Sequence, residues 1–383
     1  MSMSTIEQRK LWVRAGGRCT LCKVDLMEGA LSFKTVLVGE GAHIVGQQST
    51  EGSPRGLDPL PEADRDLAEN ILLACSRCHT EIDKALVAEL MTVAELQRRK
   101  THHEDEIHHL TGMVSDQRST VLRVQGWVRG AAMELGRDTA AAAVIRSGNR
   151  FPFFLPAYDR RGIEIDLRHI DGEEDGTPSY YAAAQKKIET VVRYRIYEGI
   201  RSNDIEHLSV FAIARLPLLV YLGWQLEDGI ATDVYQRHRN SGGWEWPDPE
   251  AAPDTAFKVD SHGTAPHEAE DAVLVTNLSG TTPTNDLPAN LSAAPIFVLG
   301  VSGDSAHEDI IVTRACLASF QATVRRFFSR LESNKTIRRL HVFGGMPVSA
   351  AVAFGQSLKA RDLRPTVVLY DLTSDGYRRV MEF

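Results

Sequence analysis

CTLC at 19–22, AHI at 42–44 and NILLACSRCHTEID at 70–83 form the stretch whose reading decides the fold of the N-terminal part. Two Cys-x-x-Cys pairs enclose a histidine and an asparagine, and a further histidine directly follows the last cysteine. A two-residue spacer lets one tight turn present two thiolates to the same ion, with zinc–sulfur bonds of about 2.3 Å. Cys19, Cys22, Cys75 and Cys78 are therefore expected to build a tetrahedral four-cysteine zinc site. Duplicated pairs weigh against buried thiols or a redox motif. Four thiolates leave no coordination position for substrate, so this zinc is structural.

Working outward, residues 5–16 (TIEQRKLWVRAG) predict a short helix capped by Thr5 and ended by Gly16-Gly17. LSFKTVLVGEGAHIVG reads as a strand pair with Gly39 and Gly41 at a turn or bulge and His43 at a strand end. QQSTEGSPRGLDPLPEADRD is a polar loop of the kind that carries substrate contacts. Beyond it, TEIDKALVAELMTVAELQRRK has helical character, which puts His79 and Asp83, four apart, on one side. This set of residues suits phosphodiester hydrolysis. A neutral imidazole can take a proton from water while a divalent ion, held by another histidine or a carboxylate, stabilises the phosphorane and the leaving alkoxide. His43 suits the base and His79 the metal ligand; Asn70 can hydrogen-bond a backbone group or the imidazole and hold the base in one orientation.

Composition bounds this reading. The chain has 383 residues, 43% apolar and 25% charged, enough for two domains with packed cores. A net charge of -8 and a pI near 5.9 mean that nucleic-acid contact must come from a local basic surface. Four of the five cysteines sit in the tight pairs, which fits metal ligation in a reducing compartment, and Cys316 is expected to be buried. MSMSTIEQRK lacks the apolar core of a signal peptide, and the apolar run 208–226 contains Arg215 and Pro217, so a cytoplasmic location without a membrane span is expected.

Past Lys100, THHEDEIHHL places His102, His103, His108 and His109 among acidic residues, which reads as a solvated helix face. TGMVSDQRST reads as a linker or helix break and VLRVQGWVRGAAMELG as a helix that connects two domains or builds a dimer contact, giving boundaries at 1–112, 113–149 and 150–383.

From 150 onward strands alternate with helices, as in a Rossmann-like α/β domain: FPFFL, IEIDL, LSVFAI, AVLVTNL, PIFVLG, LHVF and TVVLYDL as strands, with YYAAAQKKIETVVRYRI as an amphipathic helix. A degenerate repeat joins LSVFAIARLPLLVYLGWQL to LHVFGGMPVSAAVAFGQSL, with equal spacing from Phe211 to Gly223 and from Phe343 to Gly355, each copy leading to a tyrosine, Tyr235 or Tyr370. Two such units suggest a pseudo-symmetric pocket. A proline near the first helical turn, as at Pro347, leaves backbone N–H groups facing the loop, and Gly344-Gly345 lets a ligand approach the main chain. Gln236, Arg237, His238 and Arg239 offer hydrogen bonds, and Trp244 and Trp246 offer stacking surfaces for a base, whereas Trp224 continues an apolar helix as core.

The order CxxC, AHI, Asn and three apolar residues, CxxC, His, then Asp four residues on resembles HNH endonucleases of the ββα-metal class with two zinc-binding cysteine pairs, over residues 15–90. The resemblance implies an α+β nuclease domain with His43 as general base, Asn70 as the orienting residue and His79 as ligand to a catalytic divalent ion, Mg2+ or another. Many such enzymes carry an acidic ligand just before the base, where this chain has Ala42; Glu40 and Asp83 are the candidates for that role. LPLLVYLGWQL, VYQRHR, WEWP and FGGMPVSAAVAFG resemble the SAVED domain over 150–383. HNH followed by SAVED is similar to the nuclease effectors of CBASS anti-phage systems. That similarity implies a sensor of a cyclic di- or trinucleotide that degrades double-stranded DNA without sequence preference and assembles from dimers into a higher oligomer. Two rival readings are a modification-dependent restriction HNH endonuclease whose C-terminal domain reads DNA directly, and a non-catalytic zinc module that couples nucleotide sensing to a protein partner.

Overall fold

Ser4, not the expected Thr5, starts the first helix: its hydroxyl accepts a hydrogen bond from the Glu7 N–H at 3.3 Å, and Thr5 is the first residue of α1 (Thr5–Arg14). The structure is a computed structural model that describes residues 3–29, 34–112, 117–128, 130–132, 135–155, 162–227, 229–247, 255–262, 269–302, 306–333, 336–358 and 365–383. It divides into two compact units, Met1–Val114 and Ser115–Phe383.

In the first unit α1 is closed by Ala15, and Gly16 and Gly17 after it, at φ of +59° and +69°, form the left-handed turn that glycine takes at little cost. β1 (Glu40–His43) pairs antiparallel with β2 (Ile71–Ala74), placing Glu40 opposite Ala74 and His43 opposite Ile71. The strand pair expected within 31–46 is thus corrected. Residues 31–33 lie outside the described residues, Val36, Leu37 and Val38 are exposed, and the partner of β1 is the fully buried ILLA of β2. Gly41 lies inside β1 opposite Leu73 and makes no turn. The single helix expected over 80–100 is three: α2 (Ser76–Ile82), α3 (Ala85–Ala88) and α4 (Val93–Gly112), the last begun by Thr92, whose hydroxyl accepts from the Glu95 N–H at 3.2 Å. Leu11, Leu26, Ile44, Ile82, Leu96 and β2 form the core. His103, expected on a solvated face, is buried, with its ring nitrogens against Lys23 Nζ and the Ala15 carbonyl. The i, i+4 pattern of charges around it hid the fact that α4 turns one histidine toward the cysteine-bearing loop.

The second unit opens with β3 (Arg118–Gln125), β4 (Trp127–Val128), β5 (Ala131–Ala132) and α5 (Arg137–Gly148). The connecting helix expected over 121–136, inside a 113–149 linker, is corrected: this stretch holds most of β3 together with β4 and β5. Ser119 through Gln125 are all buried: β3 pairs with parallel strands along both edges, and its side chains are covered on both faces, as in the interior of a parallel sheet. Residues 113–116, 129 and 133–134 of that linker lie outside the described residues. There follow β6 (Phe151–Phe153), β7 (Ile163–Asp166), α6 (Pro178–Val191) with a π-helical continuation (Val192–Tyr197), α7 (Glu198–Arg201), β8 (His207–Ile213), α8 (Leu216–Leu226) and β9 (Ala231–Val234). The remaining elements are β10 (Phe257–His262), β11 (Asp271–Asn277), β12 (Ile296–Val301), α9 (Arg314–Ser333), β13 (Arg339–Gly345), α10 (Val348–Gln356), β14 (Thr366–Thr373) and β15 (Gly376–Glu382).

One sheet runs β6-β3-β8-β9, with β7 also on β3, and is parallel throughout. The other runs β10-β12-β11-β13-β14-β15, parallel at its centre and antiparallel at both edges. The α/β expectation for this region is met, and β8-α8-β9 and β13-α10-β14 are the two copies of the sequence repeat. Their helices cross at the paired glycines. A Cβ on Gly223 would lie 2.0 Å from the Val352 carbonyl oxygen, and one on Gly355 would lie 2.0 Å from that of Val220. The aromatic marks repeat as well: Phe211 stacks on Tyr235 at 4.2 Å between centroids and Phe343 on Tyr370 at 4.1 Å. Among the described residues no helix is long and apolar enough to cross a membrane.

Candidate functional site

The first Cys-x-x-Cys pair lies in the turn after α1, and the second brackets the N-terminus of α2, where Cys75 is the cap and its sulfur accepts from the Cys78 N–H at 3.4 Å. Thr20 N–H donates to the Leu73 carbonyl at 2.8 Å and so holds the first turn against β2. The ligand atoms of Cys19, Cys22, Cys75 and Cys78 all lie within 4.8 Å of one another. Tetrahedral zinc with sulfur at about 2.3 Å sets sulfurs about 3.8 Å apart, and Cys22 Sγ and Cys75 Sγ are separated by 3.8 Å. Burial disfavours a thiolate at Cys19, yet backbone N–H groups of Cys22, Cys75 and Leu21 outweigh it and bring this thiol down to about 7. Burial pushes the Cys22 and Cys78 thiols up. The geometry and donor set fit a zinc ion, which would be held by these four sulfurs and would join α1 to β2 and α2.

β1 carries His43 at its end, Asn70 ends the 3-10 turn just before β2, and α2 carries His79. Asn70 is buried: its Nδ2 donates to the carbonyls of Val45 and Arg65, each at 2.9 Å, and its Oδ1 accepts from the Val45 N–H at 2.9 Å. It therefore fixes the backbone just past His43 and does not reach the imidazole. His43 Nε2 instead meets Asp66 Oδ1 at 3.0 Å, and Gln47 Nε2 donates to both Asp66 oxygens at 3.1 and 3.2 Å. Burial works against the Asp66 charge, but the hydrogen bonds from His43 and Gln47 prevail and hold this carboxyl below its ordinary range.

His79 stands between two acids, its Nδ1 2.7 Å from Glu40 Oε2 and its Nε2 3.6 Å from Asp83 Oδ2. Asp83, expected with Glu40 as a candidate ligand to the catalytic ion, is also paired with Arg55 at 2.9 Å. Arg55, in a left-handed conformation at φ 54°, donates to the carbonyls of Ile44 at 2.6 Å, Ile82 at 2.8 Å and His43 at 3.2 Å. One guanidinium thus ties the end of the strand that carries His43 to the end of the helix that carries His79. Arg65 does similar work in the polar loop, where it is 1% exposed and donates to the carbonyls of Leu60, Gly46, Gly56 and Asp58. Sequence reading missed Asp66, Gln47, Arg55 and Arg65. They stand in a Pro- and Gly-rich loop without periodicity, so no sequence signal marks them.

Several of the residues expected to bind a ligand in the second unit make contacts within the fold, while the buried Nε2 of His238 and Nε1 of Trp246 have no hydrogen-bond partner among the described residues. Gln236 Oε1 accepts from the Ser349 N–H at 3.1 Å and hydroxyl at 2.7 Å, so it caps the first turn of α10. Asp371 makes the reciprocal reach, to Arg215 at the start of α8 at 2.6 Å, while Arg215 also grips Asp175 through two bonds at 2.8 and 2.6 Å. His238 and Trp246 are buried edge to face at 5.4 Å, and burial pulls the His238 imidazole below its ordinary range. Trp244 packs against Phe211, Trp224 against Tyr221 and Phe383. Arg239 is exposed and pairs with Glu308, and Arg237 is half-buried. Gly344, at φ +97°, would place a Cβ 2.3 Å from the Thr276 carbonyl oxygen; close strand packing, not ligand approach, requires glycine here. Gly345 pairs with Asn277, and Pro347 is the N-cap of α10.

No curated protein matches this chain significantly. Similar solved structures include the Acinetobacter baumannii Cap4 SAVED/CARF-domain containing receptor with the cyclic trinucleotide 3′3′3′-cAAA, at 14% identity over 79% of this chain and 61% of that one, with a TM-score of 0.44. The same receptor with 2′3′3′-cAAA gives 13%, 79%, 61% and 0.43. The Moraxella osloensis Cap4 SAVED/CARF-domain containing receptor gives 13%, 85%, 70% and 0.41. The chain spans 61% of the length of the Acinetobacter receptor. The family profile described as "SMODS-associated and fused to various effectors sensor domain" matches residues 188–383. That match takes in both copies of the strand-helix-strand repeat and just over half of the sequence, and the chain belongs to the SAVED family.

Proposed function

We propose that this protein is a metal-dependent endonuclease that degrades double-stranded DNA without sequence preference, switched on by a cyclic di- or trinucleotide at its SAVED domain, in CBASS-type anti-phage defence. The observation that supports the reading is that one β1-β2-α2 unit, with four cysteines placed to hold a metal, carries the base candidate His43, the strand-fixing Asn70 just before β2 and the ligand candidate His79. His43 would take the proton of the attacking water. His79, with Glu40 or Asp83 beside it, would hold a divalent ion, Mg2+ by default, whose chemistry is to stabilise charge on the phosphorane and the leaving oxygen. A nuclease without sequence preference endangers its own genome, so the free protein must be held off. A ligand can switch it on only by binding the active arrangement more tightly than the resting one. In this reading the ligand changes how SAVED domains of different copies associate, and dimers build a higher oligomer in which the nuclease sites pair.

The test is plasmid cleavage in Mg2+ with a panel of cyclic di- and trinucleotides, wild type against His43→Ala. Cleavage dependent on one ligand and lost in the variant is the expected result. Cleavage with no ligand would point to the restriction-type enzyme, and no cleavage under any condition to a non-catalytic sensor. If the ligand-activated protein cuts while keeping the size of the free protein, the assembly step is wrong.

A further inference from the structure

We infer that Asp66 is the positioning residue for His43, and that it makes Nδ1 of His43 the nitrogen that accepts the proton. The inference rests on the nuclease reading above and goes beyond it, since the resemblance implies the orienting role for Asn70. The amide of Asn70 is engaged by the backbone of Val45 and Arg65 on both its nitrogen and its oxygen. His43 Nε2 faces Asp66 Oδ1 at 3.0 Å, both side chains about three-quarters buried at 26% and 21% exposure. Gln47 donates to both oxygens of the same carboxylate, so Asp66 is itself held in place. An ionised carboxylate accepts and cannot donate. The hydrogen of a neutral His43 therefore sits on Nε2, and the lone pair sits on Nδ1.

The register adds a second constraint. Ile44 N–H donates to the Asn70 carbonyl at 2.8 Å, so the backbone beside His43 is fixed while Asp66 fixes the ring. In the reaction, Nδ1 takes one proton from water as the water oxygen bonds to phosphorus. One bridging phosphorus–oxygen bond breaks, and the leaving oxygen takes a proton from solvent. The imidazolium so formed carries hydrogen on both nitrogens and lies against the Asp66 carboxylate, which stabilises its charge before His43 returns the proton to water.

The test uses the full chain with 15N-labelled histidine, the His43 signals being identified by their loss in His43→Gln. Wild type is expected to show the Nε2–H tautomer, Asp66→Asn to keep it through its remaining carbonyl oxygen, and Asp66→Ala to give a mixture. In ligand-activated plasmid cleavage, Asp66→Ala is expected to lower kcat about 100-fold with KM for DNA unchanged, and Asp66→Asn to lose less. An Nδ1–H tautomer in the wild type, an unchanged tautomer in Asp66→Ala, or full activity in that variant overturns the inference. Should Asp66→Ala lose its zinc or unfold, the wild-type and Asp66→Asn spectra decide alone. If the wild type cuts nothing, the nuclease reading fails, while the tautomer still decides whether Asp66 orients His43.

Discussion

Replacing Gly223 by alanine sets two effects of opposite sign against each other. In an exposed helix the change would stabilise by about 1 kcal/mol through propensity. Here the new Cβ would lie 2.0 Å from the Val352 carbonyl oxygen and 2.8 Å from its carbon, where ordinary contact begins at 3.4 Å. The backbones of α8 and α10 must part by roughly 1.4 Å, enough to forfeit about half of the dispersion energy across the crossing. α8 is buried along nearly its whole length, so it cannot shift without disturbing the sheets on which it rests. Overpacking of this kind costs about 1–3 kcal/mol when side chains alone must move, and here backbone must move, so a net loss of about 3 kcal/mol is expected. That corresponds to a fall of about 6–12 °C in the unfolding midpoint for a unit of this size. Gly355→Ala spreads the same helix pair from the other side, with its Cβ 2.0 Å from the Val220 carbonyl oxygen. Once either alanine has separated the helices the second adds little, so the double variant should lose about 3 kcal/mol rather than 6, a coupling well above the usual additivity error. Urea unfolding followed by tryptophan fluorescence reads this, since Trp127, Trp224, Trp244 and Trp246 all lie in the second unit. A midpoint that rises in either single variant, or losses that simply add, would refute the reasoning.

Burial holds the imidazole of His207 from an ordinary 6.5 down to about 4, against the opposing pull of Asp233. Between these values the unfolded chain takes up a proton that the folded one refuses, so the stability is present above pH 6.5 and is lost as pH falls toward 4. About 2 kcal/mol should disappear between pH 7 and pH 5, and urea titrations of His207→Gln should show a correspondingly smaller drop. Arg215→Met leaves Asp175 and Asp371 without their shared guanidinium and should cost about 3 kcal/mol in the same unit, measured by the same unfolding curve. Cys75→Ser, or a strong zinc chelator, should take bound zinc from one per chain to less than one by elemental analysis. It should also expose the first unit to protease while residues 188–383 stay resistant. Zinc at one per chain in Cys75→Ser would contradict the four-sulfur site.

Local chemistry made much of this protein legible from the sequence. The four clustered cysteines announce themselves by spacing, because a two-residue turn suffices to aim two sulfurs at one ion. In the second unit β6, β7, β8, β11, β12, β13 and β14 show in period and composition. The repeat could be read because Phe211 and Phe343, and Gly223 and Gly355, keep equal spacing along two copies of one strand-loop-helix unit, and the structure stacks and crosses those same residues. Ser4 displaced Thr5 as the cap because neighbouring hydroxyls compete and backbone geometry selects one of them.

Tertiary structure alone decided the rest, wherever the partner lies far along the chain. β3 carries a pattern that suits a helix or a strand equally, and three parallel neighbours, from 151, 163 and 207 onward, made it a central strand. Gly344 looked like a ligand approach and is a strand contact with Thr276. Gln236 looked like a ligand donor and caps a helix at Ser349, 113 positions away. The partner of His43 is Asp66, 23 residues on, in a loop whose path is set by carbonyls converging on Arg65. Residue type and spacing determine which chemistry is available, because thiolates, imidazoles and amides act over one turn of chain. Which of them meet is determined by strand register and loop path, which depend on burial summed over the whole fold.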